Sequence, residues 1–247
     1  MTMDEVPGGG RLLGNPDGDV ILIHGAGASA DLYQDVLPLL PRAMAIDLPG
    51  HGTSALPGLA SIRSYVDWLS DFARQRGVAH PIFGGHSMGG AIALTLGLTN
   101  ALAPRALILI STGARLRVHP DLLAGLAGGA FPAEFLQALT SKAAPPSLVD
   151  RMGSCPVQVT LDDFRACDAF DVLDRLSGIR CPTLTLVGEE DVYTPVRYGE
   201  RMARETGGAF AVIPGSGHLL PLEQAAEVAR RIQTFLDTAV DHPALSG

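Results

Sequence analysis

Residues 85–90 read Gly85-His86-Ser87-Met88-Gly89-Gly90 and match G-x-S-x-G, a pattern in which a serine sits on a sharp turn between a strand and a helix. Such a turn strains the serine backbone and admits only small neighbours, a need that Gly85 and Gly89 meet because neither carries a Cβ. The chemistry on offer is nucleophilic: a serine hydroxyl attacks an acyl carbon once a base removes its proton. The amide of Met88, opening the helix that follows, would point at the oxyanion formed in that attack. A second amide can come from the loop His24-Gly25-Ala26-Gly27, with Ala26 as the donor. His218, in the turn Gly215-Ser216-Gly217-His218, is the candidate base. Glu189, Glu190 and Asp191 follow Gly188 and are the candidate acids to orient that base.

Each of these residues stands at the end of an apolar run, which is what an interior parallel strand looks like in sequence. Val20–Ile23 precedes His24, residues 81–84 precede the serine turn, residues 182–188 precede the acids, and residues 209–213 precede the histidine turn. Residues 43–47 and 106–110 are two further strands, and residues 3–14 are read as two short leading ones. Between them the spacing predicts helices at 29–39, 61–76 and 88–100. Ser61 is the expected N-cap and Gly77 the stop of the second. Leu222, Ala225, Ala226, Ala229, Ile232 and Leu236 mark one face of a closing helix. Alternation of this kind predicts an α/β fold, a mostly parallel central sheet flanked by helices. Residues 112–178 break it: short amphipathic runs there are separated by Pro120, Gly128-Gly129, Pro132, Pro145-Pro146 and Pro156.

The chain resembles the α/β-hydrolase superfamily, its serine-nucleophile, carboxylesterase-like branch, over almost its whole length. The resemblance rests on residues 24–27, on Asp47-Leu48-Pro49-Gly50-His51-Gly52, on residues 85–90 and 188–191, and on Gly217-His218. The order serine, acid, histidine is the order of that family. It implies a catalytic triad of Ser87, Asp191 and His218, with oxyanion donors at the Met88 and Ala26 amides. Asp191 is preferred over its glutamate neighbours because the family places its acid three residues past the glycine. Some members carry the acid one strand earlier, but here that place is Ser111-Thr112-Gly113. The resemblance further implies a core of residues 1–111 and 179–247 and a helical cap, 112–178, roofing the pocket. His24, His51 and His86 are read as structural, Asp47 as the closure of the 49–52 loop, and Trp68 as packing or surface.

Composition narrows the partners. A net charge of −8 over 247 residues disfavours nucleic acid or an anionic membrane. No run approaches the length of a membrane span, and the acidic start lacks a secretory signal pattern. Cys155, Cys167 and Cys181 form neither a C-x-x-C pair nor a metal pattern, so the expectation is a reduced, cytoplasmic protein with no catalytic metal and no cofactor.

Within the family, a serine at the turn separates this chain from the haloalkane dehalogenases and epoxide hydrolases, which carry aspartate there. Met88, Ala26 and Leu219 stand where the proline iminopeptidases, the cofactor-free haloperoxidases and the C–C hydrolases usually carry aromatic residues. The expected activity is hydrolysis of a small carboxylic ester through an acyl-enzyme. The alternatives are enol-lactone or thioester hydrolysis, the former because His218-Leu219-Leu220-Pro221-Leu222-Glu223 resembles the enol-lactonases, and a non-hydrolytic ligand-binding or lyase role. The suspected roof, 121–139, is apolar at Leu122, Leu123, Leu126, Phe131, Phe135, Leu136 and Leu139, which predicts uncharged acyl groups. An anionic substrate would need a cation, for which Arg115, Arg117 and Lys142 are the candidates.

Overall fold

Four-residue runs without a polar side chain can satisfy their backbone only between two neighbouring strands with both faces covered. In the computed structural model, which describes residues 5–6, 10–55, 57–153 and 155–241, that is where they lie. The strands are β1 (Glu5–Val6), β2 (Gly10–Gly14), β3 (Val20–Ile23), β4 (Ala43–Ile46), β5 (Ile82–His86), β6 (Ala106–Ile110), β7 (Thr183–Gly188) and β8 (Ala209–Ile213). They form one sheet in the order β1-β2-β4-β3-β5-β6-β7-β8. Only the leading pair runs antiparallel to its neighbours, and β4 to β8 are joined in parallel register through β3. Of the leading stretch, residues 3, 4 and 7–9 lie outside the described residues.

The period-2 alternation of the strands divides the core into two layers. Ile21 and Ile23 of β3 face the layer built on α1 (Ile62–Gln75) and α2 (Met88–Thr99), where Tyr65, Leu69 and Phe72 are buried. Val20 and Leu22 face the other layer, which contains Leu32, Leu37, Ile232 and Leu236. Ser61 caps α1 by accepting from the Ser64 amide at 3.1 Å, and Gly77 ends it at a positive φ of 68°. Trp68 is half-buried and stacks on Phe72 at 5.8 Å between ring centroids.

Two helices differ from expectation. The segment 29–39 is not one helix but two 3-10 turns, Ala30–Tyr33 and Leu37–Leu39. The Ala30 amide is drawn to Asp47 Oδ1 at 2.9 Å, and Pro38 brings no amide to continue an α-helical ladder. The closing helix is also divided. α7 (Leu220–Glu223) and α8 (Ala225–Phe235) meet at Gln224, whose φ of −139° is not helical. Ala226 is consequently exposed, while Val228 and Phe235 are buried.

Residues 112–178 carry α3 (Pro120–Ala127), α4 (Ala133–Gln137), α5 (Val157–Asp168) and two 3-10 turns, all between the parallel neighbours β6 and β7. The only β pairing described in this stretch is the isolated bridge Arg115–Asp171. Leu122, Leu126 and Leu161 form a small apolar cluster of their own, with Leu123, Phe131, Phe135, Phe164 and Tyr193 packed against it. After β7 comes α6 (Val196–Thr206), and a π-helical turn, Leu236–Asp241, follows α8. Among the described residues no helix is long and apolar enough to cross a membrane.

Candidate active site

β3 pairs with β4 on one side and β5 on the other, so the chain reverses its direction of travel across the sheet at this point. In a parallel sheet this reversal opens a crevice at the carboxyl ends of the strands. His24–Gly27 leaves the end of β3 and Ser87 leaves the end of β5 there.

Ser87 has φ 52° and ψ −115°, outside the regions a non-glycine residue ordinarily adopts. The turn is held from the neighbouring strand: Ser87 N–H donates to Ile110 O at 3.0 Å, and the Thr112 hydroxyl donates to Ser87 O at 2.7 Å. Its tightness explains the glycines. A Cβ on Gly85 would lie 2.1 Å from the carbonyl of Gly89, and one on Gly89 would lie 2.2 Å from Ile23 O. Among the described residues, the Ala26 and Met88 amides donate to no protein group, so both are spare donors beside Ser87.

His218 and Asp191 form a buried pair, with Nδ1 2.9 Å from Asp191 Oδ2. A carboxylate accepts, so Nδ1 carries the proton, which leaves Nε2 as the ring atom that can act as a base. Burial by itself pushes the Asp191 carboxyl up, but the facing His218, together with the Thr194 amide and hydroxyl, outweighs burial and holds it well below the usual carboxylate range. The Tyr193 and Thr194 amides each donate to Asp191 Oδ1 at 2.9 Å, and the Thr194 hydroxyl reaches Oδ2 at 2.7 Å. Glu190 and Glu189 are exposed and engaged elsewhere, with the Lys142 and Gly215 amides, each at 3.1 Å.

The imidazole of His218 lies between two rings, His86 at 4.7 Å and Tyr193 at 5.1 Å between centroids. His86 Nε2–H donates to His218 O at 2.8 Å, which fixes the histidine turn from below. Burial, aided by the neighbouring His218, pushes His86 down to about 3, so it is neutral. Ser87, His218, Ala26 and His86 line one cavity of about 30 Å³ with Phe131, Leu139, Met152, Phe164 and Tyr193. That volume suits about one water. Thr194 and Tyr193 were not singled out by sequence. A threonine and a tyrosine a few residues past an acid carry no pattern that announces contact with a distant histidine.

The other histidines hold loops. His24 Nδ1–H donates to Gly25 O at 2.8 Å while its Nε2 accepts from the Leu48 amide at 3.1 Å. Asp47 accepts from the Ala30 and Thr53 amides at 2.9 and 3.0 Å, closing the 49–52 loop as expected. His51 does more than the sequence suggested. Its Nδ1 meets Pro49 O at 3.0 Å and its Nε2 meets Asp163 Oδ2 at 2.7 Å. Both partners only accept, so the ring is an imidazolium. Burial opposes the charge, but the bond to Asp163 and the nearby Cys155 prevail and raise the group to about 10. Asp163 also accepts from the Gly27 amide at 3.1 Å and the Tyr65 hydroxyl at 2.7 Å, tying α5 to the loop that carries Ala26.

This pair has a pH signature. The folded chain holds a proton that an ordinary histidine releases near 6.5, so the stabilisation is complete below that pH and is lost as the pH rises through about 10. The melting temperature of the native protein, measured against a His51→Gln variant, is expected to lead by several degrees at pH 6. That lead should shrink by at least roughly 2–4 °C toward pH 10, the equivalent of about 1 kcal/mol for a domain of this size. A lead independent of pH would show the ring to be uncharged.

The family model described as "Alpha/beta hydrolase family" matches residues 20–231, which spans every element of this site. The chain belongs to the alpha/beta hydrolase family. It is 30% identical, over 91% of its own length and 78% of the relative's, to a pimeloyl-[acyl-carrier protein] methyl ester esterase of Neisseria meningitidis serogroup A. It is 24% identical, over 89% of its length and 90% of the relative's, to an (E)-2-((N-methylformamido)methylene)succinate hydrolase of Acinetobacter baylyi. Among solved structures, a thermophilic esterase is 31% identical and superposes with a TM-score of 0.81, covering 96% of each chain. This hydrolase thus shares sequence and architecture with ester-cleaving enzymes along its whole described core.

Proposed function

We propose that this ester-cleaving hydrolase works as a serine carboxylesterase, through an acyl-enzyme on Ser87. The observation that carries the reading is one cavity lined both by a serine on a strained turn and by a buried histidine whose Nδ1 is bonded to a carboxylate. His218 Nε2 takes the hydroxyl proton as Ser87 attacks the ester carbonyl, and Asp191 stabilises the imidazolium. The Ala26 and Met88 amides receive the oxyanion. His218 then protonates the leaving alcohol, and the acyl-enzyme forms. A water that gives its proton to the same nitrogen releases the acid and restores Ser87.

Residues 112–178 act as the cap. They supply Phe131, Leu139, Met152 and Phe164 to the wall around Ser87, and with Tyr193 these make the surroundings of the ester apolar. Since the cavity is about 30 Å³, an acyl group enters by displacing part of this wall. The group attached to the scissile carbonyl is therefore uncharged where it meets the enzyme. The three free cysteines support a reducing, cytoplasmic setting.

The test is kcat/KM over p-nitrophenyl esters graded in acyl length, set beside an enol-lactone and an acyl thioester. Steady turnover, highest on the neutral esters, is expected. A single equivalent of p-nitrophenol with no turnover would instead support a ligand-binding role, and a larger kcat/KM on the lactone or thioester would reassign the substrate.

A further inference from the structure

Phe164 and Tyr193 have a second side. Both line the small cavity at Ser87, and both also line a chamber of about 580 Å³. Tyr193 is held in that wall by its hydroxyl, which donates to Phe135 O at 2.6 Å. The chamber is apolar at Val118, Leu122, Phe135, Val192 and Pro195, and Val192 is 66% exposed on it. Its charged and titratable lining is Arg117, His119, Glu134 and Arg197, with the phenols of Tyr193 and Tyr198.

These groups are not equivalent. Arg117 is occupied, with Nη1 donating to Asp168 O at 2.5 Å and Nη2 3.6 Å from Asp171. His119 Nδ1 accepts from the Asp121 amide at 3.2 Å. Arg197 has no carboxylate partner among the described residues. Its guanidinium lies over the Tyr198 ring at 5.2 Å from the centroid. Stacking of this kind restricts the guanidinium while leaving its in-plane N–H groups available to an anion. The cations considered from sequence serve less well: Arg115 is paired to Asp171 at 3.0 Å, and neither it nor Lys142 lines the chamber.

We propose that this chamber is a subsite for the far end of the substrate, that this end carries a carboxylate, and that Arg197 is the residue that receives it. The substrate class is then the half-ester of a linear dicarboxylic acid. Its ester end lies in the apolar surroundings of Ser87, its methylene chain runs past Tyr193 and Phe164, and its free carboxylate meets the Arg197 fork. The proposal rests on the ester-hydrolase reading for which end reacts, and its test separates the two.

Binding is measured first, by calorimetry on the Ser87→Ala protein, with the monomethyl esters of adipic, suberic and sebacic acid as probes. Adding Arg197→Gln is expected to weaken the best of them roughly tenfold or more, the usual effect of losing a charge-assisted bond. Adding Arg204→Gln is the control, since Arg204 lines a neighbouring pocket but not this chamber and removes the same unit of charge. Equal weakening by both variants, or no binding of any half-ester, overturns the proposal. Turnover is measured second, as the kcat/KM ratio of mono-p-nitrophenyl suberate to p-nitrophenyl octanoate. The proposal requires that ratio to fall in Arg197→Gln, through KM. If the native enzyme cleaves neither ester, the acyl-enzyme reading fails, while the binding arm still decides the subsite.

Discussion

Replacing Ser87 with alanine is expected to lower kcat by about 10⁴- to 10⁶-fold while leaving the fold intact. The size follows from the role: without the hydroxyl no acyl-enzyme forms, and His218 has nothing to activate but water. The fold should survive because what holds the turn is backbone. Ser87 N–H bonds to Ile110 O, Thr112 holds Ser87 O, and the clearance at Gly85 and Gly89 does not involve the hydroxyl. The side chain is half-buried and caps no helix. Turnover of p-nitrophenyl butyrate and a thermal melt are measured on the same preparation. Activity within tenfold of the native enzyme, with an unchanged melt, would remove Ser87 from the mechanism.

Asp191→Asn is expected to lower kcat by about 10⁴-fold, and Glu189→Gln or Glu190→Gln by less than about tenfold. Asp191 accepts the Nδ1 proton of His218 at 2.9 Å and thereby keeps Nε2 basic. An asparagine can present its amide N–H to that nitrogen instead, which stabilises the tautomer with the proton on the wrong side. Thr194 makes the effect steeper, because its hydroxyl also reaches Asp191 and lies 3.3 Å from His218 Nδ1, so the geometry stays intact while the tautomer changes. Glu189 and Glu190 touch backbone amides at the exposed rim, and their loss reaches His218 only through the loop. If Glu190→Gln proved the more damaging change, the acid would be misassigned by one residue.

Which features were readable from the chain follows from how local their causes are. The strands at 20–23, 43–46 and 106–110 announce themselves because a parallel strand covered on both faces favours an apolar run, and these three are apolar at every position. The turn at Ser87 is equally local, since Gly85 and Gly89 are demanded by atoms a few residues away and by one neighbouring strand. The order serine, acid, histidine survives any packing detail because each residue is tied to the end of its own strand. Sequence therefore determined the fold class, the family and the identity of the candidate triad residues.

Tertiary structure decided what depends on groups brought together from far apart in the chain. A helix at 29–39 is compatible with the side chains there, but the Ala30 amide is claimed by Asp47 and Pro38 supplies none, so 3-10 turns form. The charge on His51 depends on Asp163, over a hundred positions later, which comes to 2.7 Å, and on the nearby Cys155. Among the described residues, Arg197 is the chamber-lining arginine without a carboxylate partner, because Asp171 and the Asp168 carbonyl engage Arg117 and Arg115 does not line the chamber. Charge pairing, protonation state and pocket lining are properties of distances between elements. A sequence lists the groups that can take part, and the packing of α5, the 49–52 loop and the start of α6 selects which of them do.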